Sequence, residues 1–189
     1  MDYGAYRAHM PKSILIIPSL NETTATNADY KYLSTVTEVV AEKGYYVFPL
    51  ALVDLIFKEN GVISPVEMRQ VSRDKLREIF GADAILDIRI KSWGTKYLML
   101  SSYTEVTLSF ELSDLSSGVS LWSDTITVHD NQNNSGQGDL AGMLIGSLIH
   151  AITSKLTEAE IGLARQANIQ ALDGQSGLLP GPRALIRPN

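Results

Sequence analysis

A chain of 189 residues without a cysteine must do any chemistry with oxygen and nitrogen groups. Thiol catalysis, disulfides and cysteine-bound zinc are excluded outright. The carboxylates Asp83, Asp87, Glu105 and Glu111 fall on strands or strand edges. Two carboxyl groups about 5–10 Å apart can do glycosidic chemistry. Acids alternating along a strand are more commonly its solvent face. His9, His129 and His150 lie far apart and offer no H-x-x-x-H spacing, so no metal is expected. His150, on an apolar helix, reads as a hydrogen-bonded core residue. Ser147 follows Gly146 inside a helix, and no G-x-S-x-G elbow is present. A hydrolytic centre would have to gather Asp87, Glu105, His129 and Ser147 from distant parts of the chain.

Gly136, Gly138 and Gly142 stand between a strand and a helix, where a dinucleotide-binding turn would be. Gly138 and Gly142 are four apart, which is the wrong spacing, and no following strand carries an acid for a ribose. The segment reads as a flexible loop, and no cofactor is expected. Gly142 and Gly146 give one helix a flat face that either packs on the sheet or meets another subunit. Eight tyrosines and two tryptophans outnumber four phenylalanines, a mild lean towards binding.

The elements that would position these groups follow from pattern. The length favours one domain, and 44% hydrophobic with 20% charged residues is ordinary for a globular one. Net charge is −5, from 16 basic and 21 acidic residues. The basic residues are scattered and locally cancelled, which argues against nucleic acid. The apolar stretch at 140–152 is too short for a bilayer, which needs roughly 20 residues. Residues 1–12 carry no signal-peptide core, and the start fits a chain that begins just after a removed export segment.

Residues 13–17 read as a buried strand stopped by Pro18, and 45–48 as a second stopped by Pro49. Between them Tyr30, Leu33, Val36 and Val40 recur at helical spacing, with Asp29 as cap and Gly44 as terminator. Leu52, Leu55 and Ile56 mark a helix ended by Asn60 and Gly61. Ser64, Pro65 and Glu67 form a capping box. Ser72 opens a helix closed by Gly81. From Ala84 the period becomes two, and three strands with a turn at 114–118 make an antiparallel meander. A polar loop at 131–138 leads to a long helix at 139–156, continued by a helical stretch at 158–172. The order β-α-β-α-α-β-β-β-α implies an α/β domain over 1–172, a mixed sheet with helices packed on it. The Pro/Gly-rich tail 173–189 is either disordered or an extended docking arm. Its apolar Leu178, Leu179, Leu185 and Ile186 and its basic Arg183 and Arg187, with Gly142 and Gly146, form the candidate interaction surface.

Short motifs add a resemblance. ILIIPSLNE at 14–22, FGADAIL at 80–86 and LSDLSSGVSLW at 112–122 resemble the amino-terminal domain of TolB and curli-secretion-type lipoproteins. With AEKGYYVFPLALVD at 41–54, NNSG at 133–136 and PGPR at 180–183, the chain is similar to the outer-membrane lipoprotein family known from a genome-derived Neisseria vaccine antigen. The resemblance implies a TolB-like α/β fold. It also implies a protein at the periplasmic face of the outer membrane, held by an acylated amino-terminal cysteine that this chain does not contain. Its partners would be other envelope proteins, such as a curli-channel-like lipoprotein, or a second copy in a homodimer. The family offers no agreed catalytic residues to carry over. Pro18 is expected at the sheet's edge, Asn21 as a loop brace, and Asp114 with Gly118 as the hairpin turn. These are determinants of fold. The leading function is a non-catalytic interaction or assembly component of an outer-membrane transport system. The alternatives are a regulator that binds a cell-wall synthase and a hydrolase of envelope polymers.

Overall fold

The computed structural model describes residues 2–97, 102–130 and 159–184. The apolar run at 14–17 forms β1 (Ser13–Ile16). β1 is parallel both to β3 (Tyr46–Val47) and to β4 (Ala84–Tyr97). A strand covered on both faces needs no polar alternation, which explains its continuous Ile-Leu-Ile. β2 (Leu20–Asn21) resumes the pairing with β4 beyond Pro18. β4, β5 (Ser102–Asp114) and β6 (Ser120–Asp130) form the expected antiparallel meander. The sheet order is β3-β1-β4-β5-β6. Pro18 is therefore not at a sheet edge. It lies in the gap between β1 and β2, outside the ladder.

The single helix expected around Tyr30 to Val40 is two, α2 (Ala28–Leu33) and α3 (Thr37–Glu42), preceded near the amino terminus by α1 (Gly4–Ala8). The break has a local cause. Thr35 turns both its amide and its hydroxyl onto the Tyr32 carbonyl, at 2.9 and 2.7 Å. The Thr35 carbonyl is in turn taken by the Asn168 amide at 2.9 Å, so the helical ladder cannot run through. Asp29 is not the cap. Asn27 holds that place with φ 64° and no side-chain bond, and Asp29 lies in the first turn, where a negative charge suits the dipole. After α4 (Leu50–Glu59) comes α5 (Pro65–Met68), whose Ser64–Glu67 capping box is present in full. Ser72 caps α6 (Arg73–Phe80), and Gly81 ends it at φ 64°. Asn21 braces its loop as expected, donating to the Ala25 carbonyl and accepting from Thr23.

Two apolar layers hold the helices to the sheet. On one face Ile14, Ile16, Leu86, Ile88, Leu108 and Phe110 meet Tyr6, Tyr32, Val40 and Leu163. Leu163 belongs to α7 (Ala159–Asn168). On the other face Leu15, Ile17 and Ile85 meet Val53, Phe57, Met68 and Leu76 from α4, α5 and α6. The helix expected at 139–156 lies outside the described residues.

After α7 a π turn (Ile169–Asp173) leads into the tail. The described tail is laid on its own domain. Its carbonyls accept from three aromatic side chains: Trp122 Nε1 to Ser176 at 2.8 Å, Tyr3 to Gly177 at 2.7 Å and Tyr45 to Leu179 at 2.5 Å. The amides of Gly181 and Arg183 then donate to the carbonyls of Lys43 and Gly44. Gly44 stands at φ 91°, and a Cβ there would run into the backbone of Arg183 and Ala184. The position needs glycine for conformation and for close approach alike.

At the β5–β6 turn, Asp114 accepts from the Ser117 amide and hydroxyl at 2.5 and 2.7 Å, and Gly118 takes φ 76° as expected. Burial pushes the Asp114 carboxyl up, but the Ser117 bonds, His9 and the Ser116 amide together bring it below its ordinary value. A carboxyl lowered in the folded state adds stability above its unfolded pKa and loses it as pH falls through the folded one. Asp114→Asn should cost about 1–2 kcal/mol at neutral pH and flatten that acid limb. Urea titrations at pH 7 and pH 3 check it. An equal loss at both values would contradict it.

Candidate functional site: the open face of the meander

Period-two patterning in β5 and β6 sorts their side chains onto two unlike faces. Val106, Leu108, Phe110 and Leu112 are buried, whereas Tyr103, Glu105, Thr107, Ser109 and Glu111 are exposed or half-buried on the opposite face. Ser123, Thr125, Thr127 and His129 of β6 are all exposed on that same face. The register sets cross-strand rows: Asp87, Glu111 and Ser123; then Arg89, Ser109 and Thr125; then Ser92, Thr107 and Thr127; then Gly94, Glu105 and His129. Hydroxyls bond along the rows, Thr107 with Thr127 at 2.9 Å and Thr125 to Ser109 at 3.2 Å. Among the described residues, α4, α5 and α6 pack on the β1 side of the sheet and leave these rows uncovered apart from Ser92, which is buried.

A charge ladder borders the face. Arg69 pairs with Asp87, and Arg89 reaches Asp87 at 3.4 Å and Glu22 at 3.3 Å. Lys91 meets Glu22 at 2.5 Å. The Lys91 hydrogen bond, helped by Arg89, holds the Glu22 carboxyl below its usual value against desolvation. Desolvation works against the Arg89 charge, but Asp87 and Glu22 outweigh it and raise the guanidinium above its usual value. The exposed pairs add little stability. Their effect is to fix a pattern of charge on the surface.

Of the hydrolytic grouping, the described residues Asp87, Glu105 and His129 do not come together at one point. Glu105 and His129 do meet, at 3.3 Å, with Tyr103 edge-on to the imidazole at 5.4 Å. Asp87 pairs with Glu111, six residues along β5 from Glu105. That is about 20 Å at roughly 3.4 Å per residue. Ser147 lies outside the described residues. Asp87 and Glu111 are direct cross-strand neighbours, the spacing of a carboxylate pair. Both Asp87 oxygens, however, are held by Arg69 and Arg89. The groove above them, about 320 Å³ and lined by Asp87, Arg89, Ser109, Glu111, Ser123 and Thr125 among others, is half open among the described residues. Among the described residues no group of three His, Asp or Glu side chains could hold a metal ion.

The candidate interaction residues are divided. Leu178 is buried and Leu179 half-buried against the domain's own core. Arg183 is exposed, its guanidinium over the Tyr46 ring at 5.7 Å. Gly142, Gly146, Leu185, Ile186 and Arg187 lie outside the described residues, as does the glycine loop. The polar rows were missed as a site because alternation alone reads as an ordinary solvated face.

Comparison with known proteins agrees with this architecture. Residues 1–183 match the family model described as "Putative lipoprotein GNA1162-like". The chain belongs to the GNA1162-like lipoprotein family. It is 35% identical over 184 residues to "Putative lipoprotein NMB1124/NMB1162" of Neisseria meningitidis serogroup B, across 96% of this chain and 85% of that one. The crystal structure of lipoprotein GNA1162 from Neisseria meningitidis is 38% identical to it. That likeness has a TM-score of 0.63 and covers 77% of this chain and all (100%) of the other. PelC from Paraburkholderia phytofirmans, solved as a dodecamer, is 16% identical with a TM-score of 0.50, over 88% of this chain and 89% of that one. At that identity the likeness is one of fold. GNA1162-like proteins are envelope-associated lipoproteins, and their family description names no reaction. Among the described residues no helix is long and apolar enough to cross a membrane.

Proposed function

We propose that this GNA1162-like protein is a non-catalytic interaction or assembly component of an outer-membrane transport system, lipid-anchored at the periplasmic face. The observation that supports this most is the open meander face. Its polar groups spread along about 20 Å of strand rather than converging, and among the described residues the groove on that face stays open. A surface of that shape engages a macromolecule by area rather than a substrate by enclosure. Other envelope proteins are the partners that fit, a curli-channel-like lipoprotein among them.

The catalytic alternative gives a sharp contrast. Glu105→Gln combined with His129→Ala changes two residues of the proposed binding rows, so envelope function should fall only in step with partner capture. Complementation of a deletion strain checks this. Loss of function with partner capture intact would favour an acid–base role instead.

The proposal itself is tested by affinity capture of the lipidated protein from native membranes, read by mass spectrometry. Reproducible recovery of an envelope transport protein supports it. Recovery of this protein alone sinks it.

A further inference from the structure

β6 ends the sheet. Its eleven residues run without proline or lysine, and among the described residues its outer edge has no strand beside it. An edge of that length is a template for another strand unless something blunts it. Here the block is local: the Thr125 amide donates to the carboxylate of its own neighbour, Asp124, at 2.8 Å. That bond shows which way the backbone faces. In an antiparallel pair alternate residues direct both backbone groups at the partner, and the rest direct theirs away. Thr125 therefore belongs to the outward set, together with Ser123, Thr127 and His129. Asp124 occupies the middle of the edge with a carboxylate that a competing carbonyl can displace.

Charge selects the occupant. Between Ser102 and Asp130 the chain carries five carboxylates, Glu105, Glu111, Asp114, Asp124 and Asp130, and neither lysine nor arginine. A second copy would bring the same acids against these. An extended basic segment would find acids on both faces: Asp124 and Asp130 on the core side, Glu105 and Glu111 on the open side.

We propose that the outer edge of β6 accepts an extended, lysine- or arginine-bearing segment of another protein as an added strand. On docking, the segment's carbonyl replaces Asp124 at the Thr125 amide, and the released carboxylate pairs with a basic side chain of the incoming strand. This deepens the partner-binding reading above and rests on it for the identity of the partner protein.

The probe is an acetylated ten-residue peptide alternating lysine and threonine, with a glutamate–threonine peptide as control. Amide hydrogen exchange and chemical shifts of the whole protein are followed by NMR. In the free protein the amides of Ser123, Thr127 and His129 should exchange rapidly. The lysine peptide should slow them at least tenfold, with the largest shifts on β6, and the control peptide should bind at least tenfold more weakly. Thr125→Pro removes an amide that serves no ladder bond, so the fold should survive while peptide binding falls at least tenfold. Should that variant misfold, Glu111→Gln with Asp130→Asn should still weaken binding severalfold. Protection of the outward β6 amides in the free protein equal to that within β5 would overturn the proposal. So would peptide affinity unchanged by Thr125→Pro, or shifts scattered over all acidic surfaces. Membrane capture separates the two levels. If wild type and Thr125→Pro recover the same envelope partner, partner binding stands and the edge does not. If the peptide docks on β6 but neither recovers a partner, the edge stands and the envelope role does not.

Discussion

Arg69→Ala is expected to lower the free energy of unfolding by about 3–4 kcal/mol, close to the loss from stripping one partner out of a buried ion pair. The side chain does more than pair with Asp87. Its guanidinium donates to the carbonyls of Pro65 at 2.7 Å, Ile88 at 3.0 Å and Pro18 at 3.1 Å, with the side chain only 12% exposed. Those carbonyls belong to α5, β4 and the gap between β1 and β2. One planar fork thus ties α5 to β4 and to the gap where the ladder from β1 and β2 to β4 is interrupted. α5 has four residues and cannot hold itself by helical cooperativity. Arg69→Lys should recover little of the loss, since an ammonium cannot reproduce the fork. Urea unfolding followed by circular dichroism measures both variants. A loss below 1 kcal/mol for the alanine change would mean that water replaces the guanidinium at no cost.

Asn168→Ala is expected to cost about 2–4 kcal/mol. Asn168 is fully buried on α7, accepts from the Tyr32 hydroxyl at 2.7 Å and donates to the Thr35 carbonyl and hydroxyl, both at 2.9 Å. Burial pushes the Tyr32 phenol far above its usual range, and the Asn168 bond only partly offsets this. Truncation strands a buried hydroxyl and a buried carbonyl, at about 1–3 kcal/mol each before relaxation. Tyr32→Phe in the Asn168→Ala background should restore part of the loss, because it removes one orphan. The double-mutant cycle checks this coupling. Purely additive losses would show that the two residues do not depend on each other.

These two residues mark where sequence reasoning stopped. The meander, the β1 run and the capping box at Ser64 were legible because each is written in local spacing: period two, a short apolar run, and Ser with Glu three residues on. The break in the first helix was not, since it depends on Asn168 reaching Thr35 from 133 residues away. The tail showed its missing regular structure in its prolines and glycines. Its placement depends on distant donors, Trp122, Tyr3 and Tyr45, that no local pattern connects. The open face was readable as alternation. That the described helices leave it open was not, because which strands the helices cover is set by sheet order. Family membership was legible in motifs that serve turns and strand ends, which is why it carried architecture further than function.

On the proposed function, the protein binds a partner across the meander face that the described helices leave open. Site-specific photo-crosslinking in native envelopes tests it most directly, with a benzophenone side chain at Thr127 or Glu111 on the open face and at Glu38 of α3 as control, all three exposed. One shared envelope protein should crosslink from Thr127 and Glu111 and not from Glu38. Crosslinks from Glu38 alone, or none from the open face in envelopes where the protein is functional, would contradict it.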